Sequence, residues 1–170
     1  DALLWLESAG LIYRVFCTTK PFLPLKAYDD LSAFKVYLSD VGLLRELSGL
    51  PSEIIFLGNG AYTEFKGAIA ENYVLQSLVP QYDILPRYWT SIGKAEVDFV
   101  IQSGSEIIPV EVKAQTRLGG KSLSVYDANY HPACKLRYSL NNLKQDGTLI
   151  NITLYLADWT KKIVNFLTLH

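Results

Sequence analysis

Residues 96–114 read EVDFVIQSGSEIIPVEVKA. Two apolar, β-branched runs flank SGSE, so the stretch reads as strands over 96–102 and 107–114 joined by a hairpin turn. Yet Asp98, Glu111 and Lys113 stand inside those runs. Side chains alternate faces along a strand. Glu111 and Lys113 therefore share a face with Pro109, while Val110, Val112 and Ala114 take the other. On the partner strand Asp98 is expected to side with Glu96 and Val100, and Val97, Phe99 and Ile101 to point oppositely. A turn at 103–105 brings Asp98 across from the Glu111 region, so three ionisable groups are expected to converge on one patch of sheet.

Unpaired charges inside a sheet are strongly unfavourable. A divalent cation removes that difficulty for the acids, since Mg²⁺ takes hard oxygens, often one or two carboxylates with waters and substrate phosphate. An amine beside them can steady charge on a phosphate, and metal-bound water ionises more readily. Together these are the parts of a phosphodiester hydrolase. A fourth group comes from GAIAENYVLQ, where Glu71 lies between Ile69 and Tyr73, the markers of a buried helix side. The same residues admit a plainer reading, with Asp98 and Lys113 as a cross-strand ion pair on a solvated face and Glu71 as ordinary helix surface. Glu96, Glu106 and Asp83 read as turn or surface acids.

Working outward, AYTEFKGAIAENYVLQSLVPQ has helical spacing and ends at Pro80. YDILPRYWT, 82–90, reads as a strand that Pro86 places at a sheet edge. A helix is expected to open near Lys121, with strands over 134–140 and 149–157 and a small apolar anchor, IVNFL, at the end. The order from residue 60 is that of an α/β layer arrangement. Before it, DALLWLESAGLI reads as a helix, IYRVF and FKVYLSD as strands, and DVGLLRELSGL as a short helix capped by Asp40. Residues 1–50 thus suit the tail of a winged-helix module, with an abrupt start.

The chain has 170 residues, 49% of them hydrophobic, enough for one sizeable core. Its net charge of −1 gives no bulk field that advertises nucleic acid or a membrane surface, although a local basic groove remains compatible with it. Apolar runs are far too short to span a bilayer. The two cysteines, Cys17 and Cys134, form no disulfide framework or zinc spacing, so a reducing, cytoplasmic setting is expected. LGGKS at 118–122 imitates a phosphate loop, but Gln115 stands where the first glycine belongs. His131 has only Cys134 near it and reads as a loop histidine. Arg87, Tyr88 and Trp89 form an aromatic-basic cluster suited either to packing or to nucleic acid. Arg117 and Lys121 are placed to contact phosphates.

Asp98, followed after twelve residues by Glu111-x-Lys113 and preceded by a helix carrying Glu71, resembles the PD-(D/E)xK nuclease superfamily. Val97 stands where the literal pattern has proline. The resemblance implies a restriction-endonuclease-like α/β fold, a central mixed sheet flanked by helices. It also implies Mg²⁺ (or Mn²⁺) held by Glu71, Asp98 and Glu111, with Lys113 as the catalytic lysine. FKVYLSDVGLL, GAIAENYVLQSL, RYWTSIGKAEVDFVI and IIPVEVKAQTRLGGKSL, in that order, look like one uncharacterised family. It is the C-terminal domain of many bacterial and archaeal AAA-type ATP-binding proteins. That likeness implies a winged-helix remnant over 1–50, a nuclease-like domain over 51–170, and an upstream ATPase module as partner, with no ATPase activity expected from this stretch. The expected function is metal-dependent DNA hydrolysis, with Arg87, Trp89, Arg117 and Lys121 as candidate DNA contacts. The rival is a non-catalytic module of the same fold that binds DNA or serves the ATPase.

Overall fold

The hairpin around Gly104 anchors the architecture. In the computed structural model, which describes residues 2–49, 63–93, 95–114 and 120–168, β4 (Glu96–Ser103) and β5 (Glu106–Val112) pair antiparallel, with Phe99 opposite Val110 and Ser103 opposite Glu106. Gly104, at φ +60, supplies the left-handed first turn residue of this tight connection.

Around this hairpin lies one mixed sheet of eight strands in the order β2-β1-β3-β4-β5-β6-β8-β7. The other strands are β1 (Ile12–Thr18), β2 (Asp29–Leu38), β3 (Arg87–Thr90), β6 (Lys135–Ser139), β7 (Lys144–Asp146) and β8 (Leu149–Thr153). β1 joins β3, β5 joins β6 and β6 joins β8 in parallel; the remaining pairs are antiparallel. Among the described residues the α-helices are α1 (Ala2–Ser8), α2 (Val41–Leu47), α3 (Thr63–Leu78), α4 (Ser122–Tyr130) and α5 (Thr160–Thr168). Asp40 caps α2 as expected, its Oδ1 accepting the Leu43 N–H at 2.9 Å.

Helices cover both faces of the sheet. Ala70, Val74, Leu75 and Leu78 of α3 and Val164 of α5 pack with Phe99, Ile101, Val110 and Tyr138. Leu123 and Tyr126 of α4 pack with Trp89, Val97 and Val100 on the other side. Residues such as Phe99, Leu75 and Ile152 are fully buried, each stabilising the fold by roughly 1.5–3 kcal/mol relative to exposure.

Several expectations shift. β3 is not an edge strand but lies between β1 and β4. Pro86 precedes its first residue, so no ladder donor is lost. Residues 149–157 do not form one strand, because β8 stops at Thr153 and a 3₁₀ turn, Leu154–Trp159, leads into α5. The terminal apolar anchor is that helix. The boundary expected at 50/51 lies outside the described residues, and the strands on either side of it belong to a single sheet.

Candidate functional site

Asp98 stands at an irregularity. Arg87 pairs with Val100 and Trp89 with Val97, so Asp98 and Phe99 together oppose Tyr88. Such a bulge breaks the period-two alternation and re-aims a side chain. Val97 and Val100 consequently pack together with α4, while Phe99 and Ile101 enter the α3 side. This corrects the strict alternation expected along 96–102, in which Val97 would accompany Phe99 and Asp98 would accompany Val100. The Asp98 carboxylate occupies the seam where β4 and β5 part, and its Oδ2 accepts the Val112 N–H at 2.7 Å. Burial, and then the charge of Glu71, push Asp98 up to about 7, with Lys113 and Lys35 opposing that rise.

Glu111 is buried to 1% exposure. It pairs across the parallel β5–β6 register with Arg137, whose Nε donates to Oε2 at 3.0 Å. Oε1 lies 3.3 Å from Lys113 Nζ, yet no hydrogen bond from the described residues reaches it. Gly120 closes over the same carboxylate: a Cβ there would stand 2.6 Å from Oε2 and 2.9 Å from Cδ. Only a glycine permits that approach.

On the α3 side, the Tyr37 hydroxyl donates to Glu71 Oε2 at 3.2 Å. Burial, and then the charge of Glu71, hold that hydroxyl protonated well above the ordinary tyrosine range. Lys35, two residues earlier on β2, pairs with Glu96. The four expected residues therefore form two linked groups. Glu71 and Asp98 sit with Tyr37, Lys35 and Glu96; Glu111 and Lys113 sit with Arg137 and Gly120. The bond from Val112 to Asp98 and the charge of Lys113 felt at Asp98 join them.

The donors fit a hard divalent cation in part. They are carboxylate oxygens, and among the described residues Glu111 Oε1 is a buried oxygen with no hydrogen bond. Among the described residues, however, no three or more His, Cys, Asp or Glu side chains form a group that could hold a metal ion. The fit is to a partial shell of one or two carboxylates, completed by waters and substrate oxygens, as Mg²⁺ commonly takes.

The proposed nucleic-acid contacts divide. Arg87 is buried and committed, its Nε and Nη2 donating to the Asp29 carboxylate at 2.6 and 2.7 Å. Trp89 is also buried, with its ring edge-on to Tyr126 and Tyr130 at 5.2 and 5.7 Å. Neither is presented to solvent, because both build the core of the sheet's second face. Lys121 is exposed just before α4. Arg117 lies outside the described residues, as do Gln115 and part of the LGGKS stretch. His131 ends α4 in the left-handed conformation, φ 47, with its backbone N–H on Asp127 O. That is a capping role.

Sequence reasoning missed Tyr37, Lys35, Glu96, Arg137 and Gly120. Arg137 was legible, since a lone charge between Leu136 and Tyr138 repeats the signature of Glu111 between Val110 and Val112. The β2 residues were not, because nothing local says that this strand joins the same sheet.

Two family models match stretches of the chain. The model described as Domain of unknown function (DUF4143) matches residues 66–155, just over half of the chain. The chain belongs to the DUF4143 family. Its match spans α3 to the end of β8, and thus Glu71, Asp98, Glu111, Lys113 and Arg137. Residues 1–54 match a second model, Domain of unknown function (DUF8612), which covers Lys35 and Tyr37. No curated protein and no solved structure matches the chain. Among the described residues no helix is long and apolar enough to cross a membrane.

Proposed function

We propose that this DUF4143 domain is a metal-dependent DNA phosphodiester hydrolase on a restriction-endonuclease-like sheet, serving a larger ATP-binding protein whose ATPase module lies upstream. The observation that carries the reading is the seam between β4 and β5. There half-buried Asp98 feels the charges of Glu71 and Lys113, beside a buried Glu111 oxygen that lacks a hydrogen bond among the described residues. Asp98, with Glu71 or with Glu111 through Oε1, would supply the one or two carboxylates that hold Mg²⁺ or Mn²⁺, waters and substrate oxygens completing the shell. A bound cation would supply charge stabilisation and an easily ionised water. Lys113, half-buried at the end of β5, is the cation available to a scissile phosphate. Arg137 holds the Glu111 carboxylate in place, and Asp98 stays fixed by the Val112 N–H. Lys121, and Arg117 by its position in the sequence, would contact phosphates without reading bases.

One observation favours a second reading. Glu111 is already bridged by Lys113 and Arg137, which is how a non-catalytic module would close the same cleft. Such a module would bind DNA or regulate the ATPase. Cleavage of varied DNA forms with Mg²⁺ or Mn²⁺, wild type against Lys113→Ala, separates the two. The hydrolase reading expects cation-dependent cleavage that the variant loses. Absence of cleavage by the full-length protein on every DNA form tried supports the module.

A further inference from the structure

Residues matched by the two family models meet at one point. Asn72, buried in α3, clasps the backbone of Leu38: its Oδ1 accepts the Leu38 N–H and its Nδ2 donates to the Leu38 carbonyl, both at 3.0 Å. Gln76, one helical turn on, accepts the Val41 N–H at 2.8 Å. This clasp fixes the register of β2 against α3, so that Tyr37, one residue before Leu38, meets Glu71, one residue before Asn72. The Tyr37 ring is itself pinned, with its centroid 5.5 Å from that of Phe99. Lys35 lies on the same face of β2. Its ammonium sits 5.0 Å from the centre of the Tyr88 ring and takes the Glu96 carboxylate.

We infer that the N-terminal segment completes the site: Tyr37 is a positioning residue that holds Glu71 toward Asp98, and Lys35 withholds Glu96 from the donor set. The inference rests on the metal reading above. It gives β2 two opposed effects on one cation. The hydroxyl of Tyr37 orders a donor carboxylate, whereas the ammonium of Lys35 repels the incoming charge and occupies a further acid. A strand that merely supported the sheet would have no such opposition.

Mn²⁺ alone is the probe, titrated into the whole chain and followed by electron paramagnetic resonance, with thermal unfolding as the check on folding. Tyr37→Phe keeps the ring on Phe99 and removes only the hydroxyl, so Mn²⁺ binding should weaken about fivefold with the melting temperature little changed. Lys35→Gln should tighten it by about two- to fivefold. Unchanged binding in Tyr37→Phe, or weakening of both variants alike, overturns the inference while leaving the metal reading intact. Wild-type protein that takes up no Mn²⁺ overturns both.

Discussion

Two buried charge clusters flank the strands of this site, and they are built on opposite principles. At β3, the Arg87 guanidinium meets both oxygens of Asp29 at 2.6 and 2.7 Å, and its third nitrogen donates to the Leu85 carbonyl. Each carboxylate oxygen has its donor, and the side chains are 6% and 8% exposed. At β5, the Glu111 side chain is still more buried, at 2%, but among the described residues one of its oxygens has no hydrogen bond, and neighbouring Asp98 is pushed up to about 7. The first cluster is a closed structural joint that ties the start of β2 to β3. The second is held short of completion. A buried carboxylate oxygen short of a hydrogen bond is what a ligand can use, and the contrast is why only the second carries the functional proposal.

The contrast can be broken from either side. Removing one partner of the closed joint leaves an uncompensated buried charge, so Arg87→Ala should lower unfolding stability by about 3–5 kcal/mol in urea titrations. A loss under about 1 kcal/mol would erase the distinction between the two clusters.

The open cluster should respond to pH instead. The folded chain holds the Asp98 proton up to about pH 7, whereas the unfolded chain releases it near the ordinary carboxyl value of 3.8. The unfolded state therefore binds fewer protons in between, and stability should fall as pH rises from about 4 to about 7, then level off. Asp98→Asn keeps an acceptor for the Val112 N–H and removes the titration. It should be the more stable form at pH 8, by about 2–4 kcal/mol, with the gap closing toward pH 4. Urea titrations across that range check it; a gap independent of pH would mean that Asp98 is not desolvated.

The smallest effect sharpens the geometry. Gly120→Ala sets a methyl group against the Glu111 carboxylate and should cost about 1–3 kcal/mol. The penalty should shrink when Glu111 is also replaced by alanine, the coupling expected of groups in contact. Equal penalties in both backgrounds would remove Gly120 from the site.

Much of this was legible before any coordinates. The hairpin, α3 and the cap at Asp40 follow from alternation, helical spacing and side-chain chemistry, all local signals. Asp98, Glu111 and Lys113 stood out because charge inside a strand demands a partner. Three things were not legible. The bulge at Asp98 and Phe99 depends on how β3 aligns with β4, which no single strand encodes. β3 became an interior strand because β1 pairs with it across some seventy residues of sequence (Cys17 with Tyr88). For the same reason Tyr37 and Lys35 looked like part of a separate N-terminal unit. Arg87 and Trp89 misled as candidate contacts, since a buried Arg needs only one well-placed acid, and Asp29 is 58 residues away.

Calorimetric titration of Mn²⁺ into the whole chain at pH 8, wild type against Asp98→Asn, asks whether the seam between β4 and β5 is a cation site. The account predicts one saturable site in the wild type that disappears in a variant that still unfolds cooperatively. No saturable uptake by the wild type, or equal uptake by both, would contradict it.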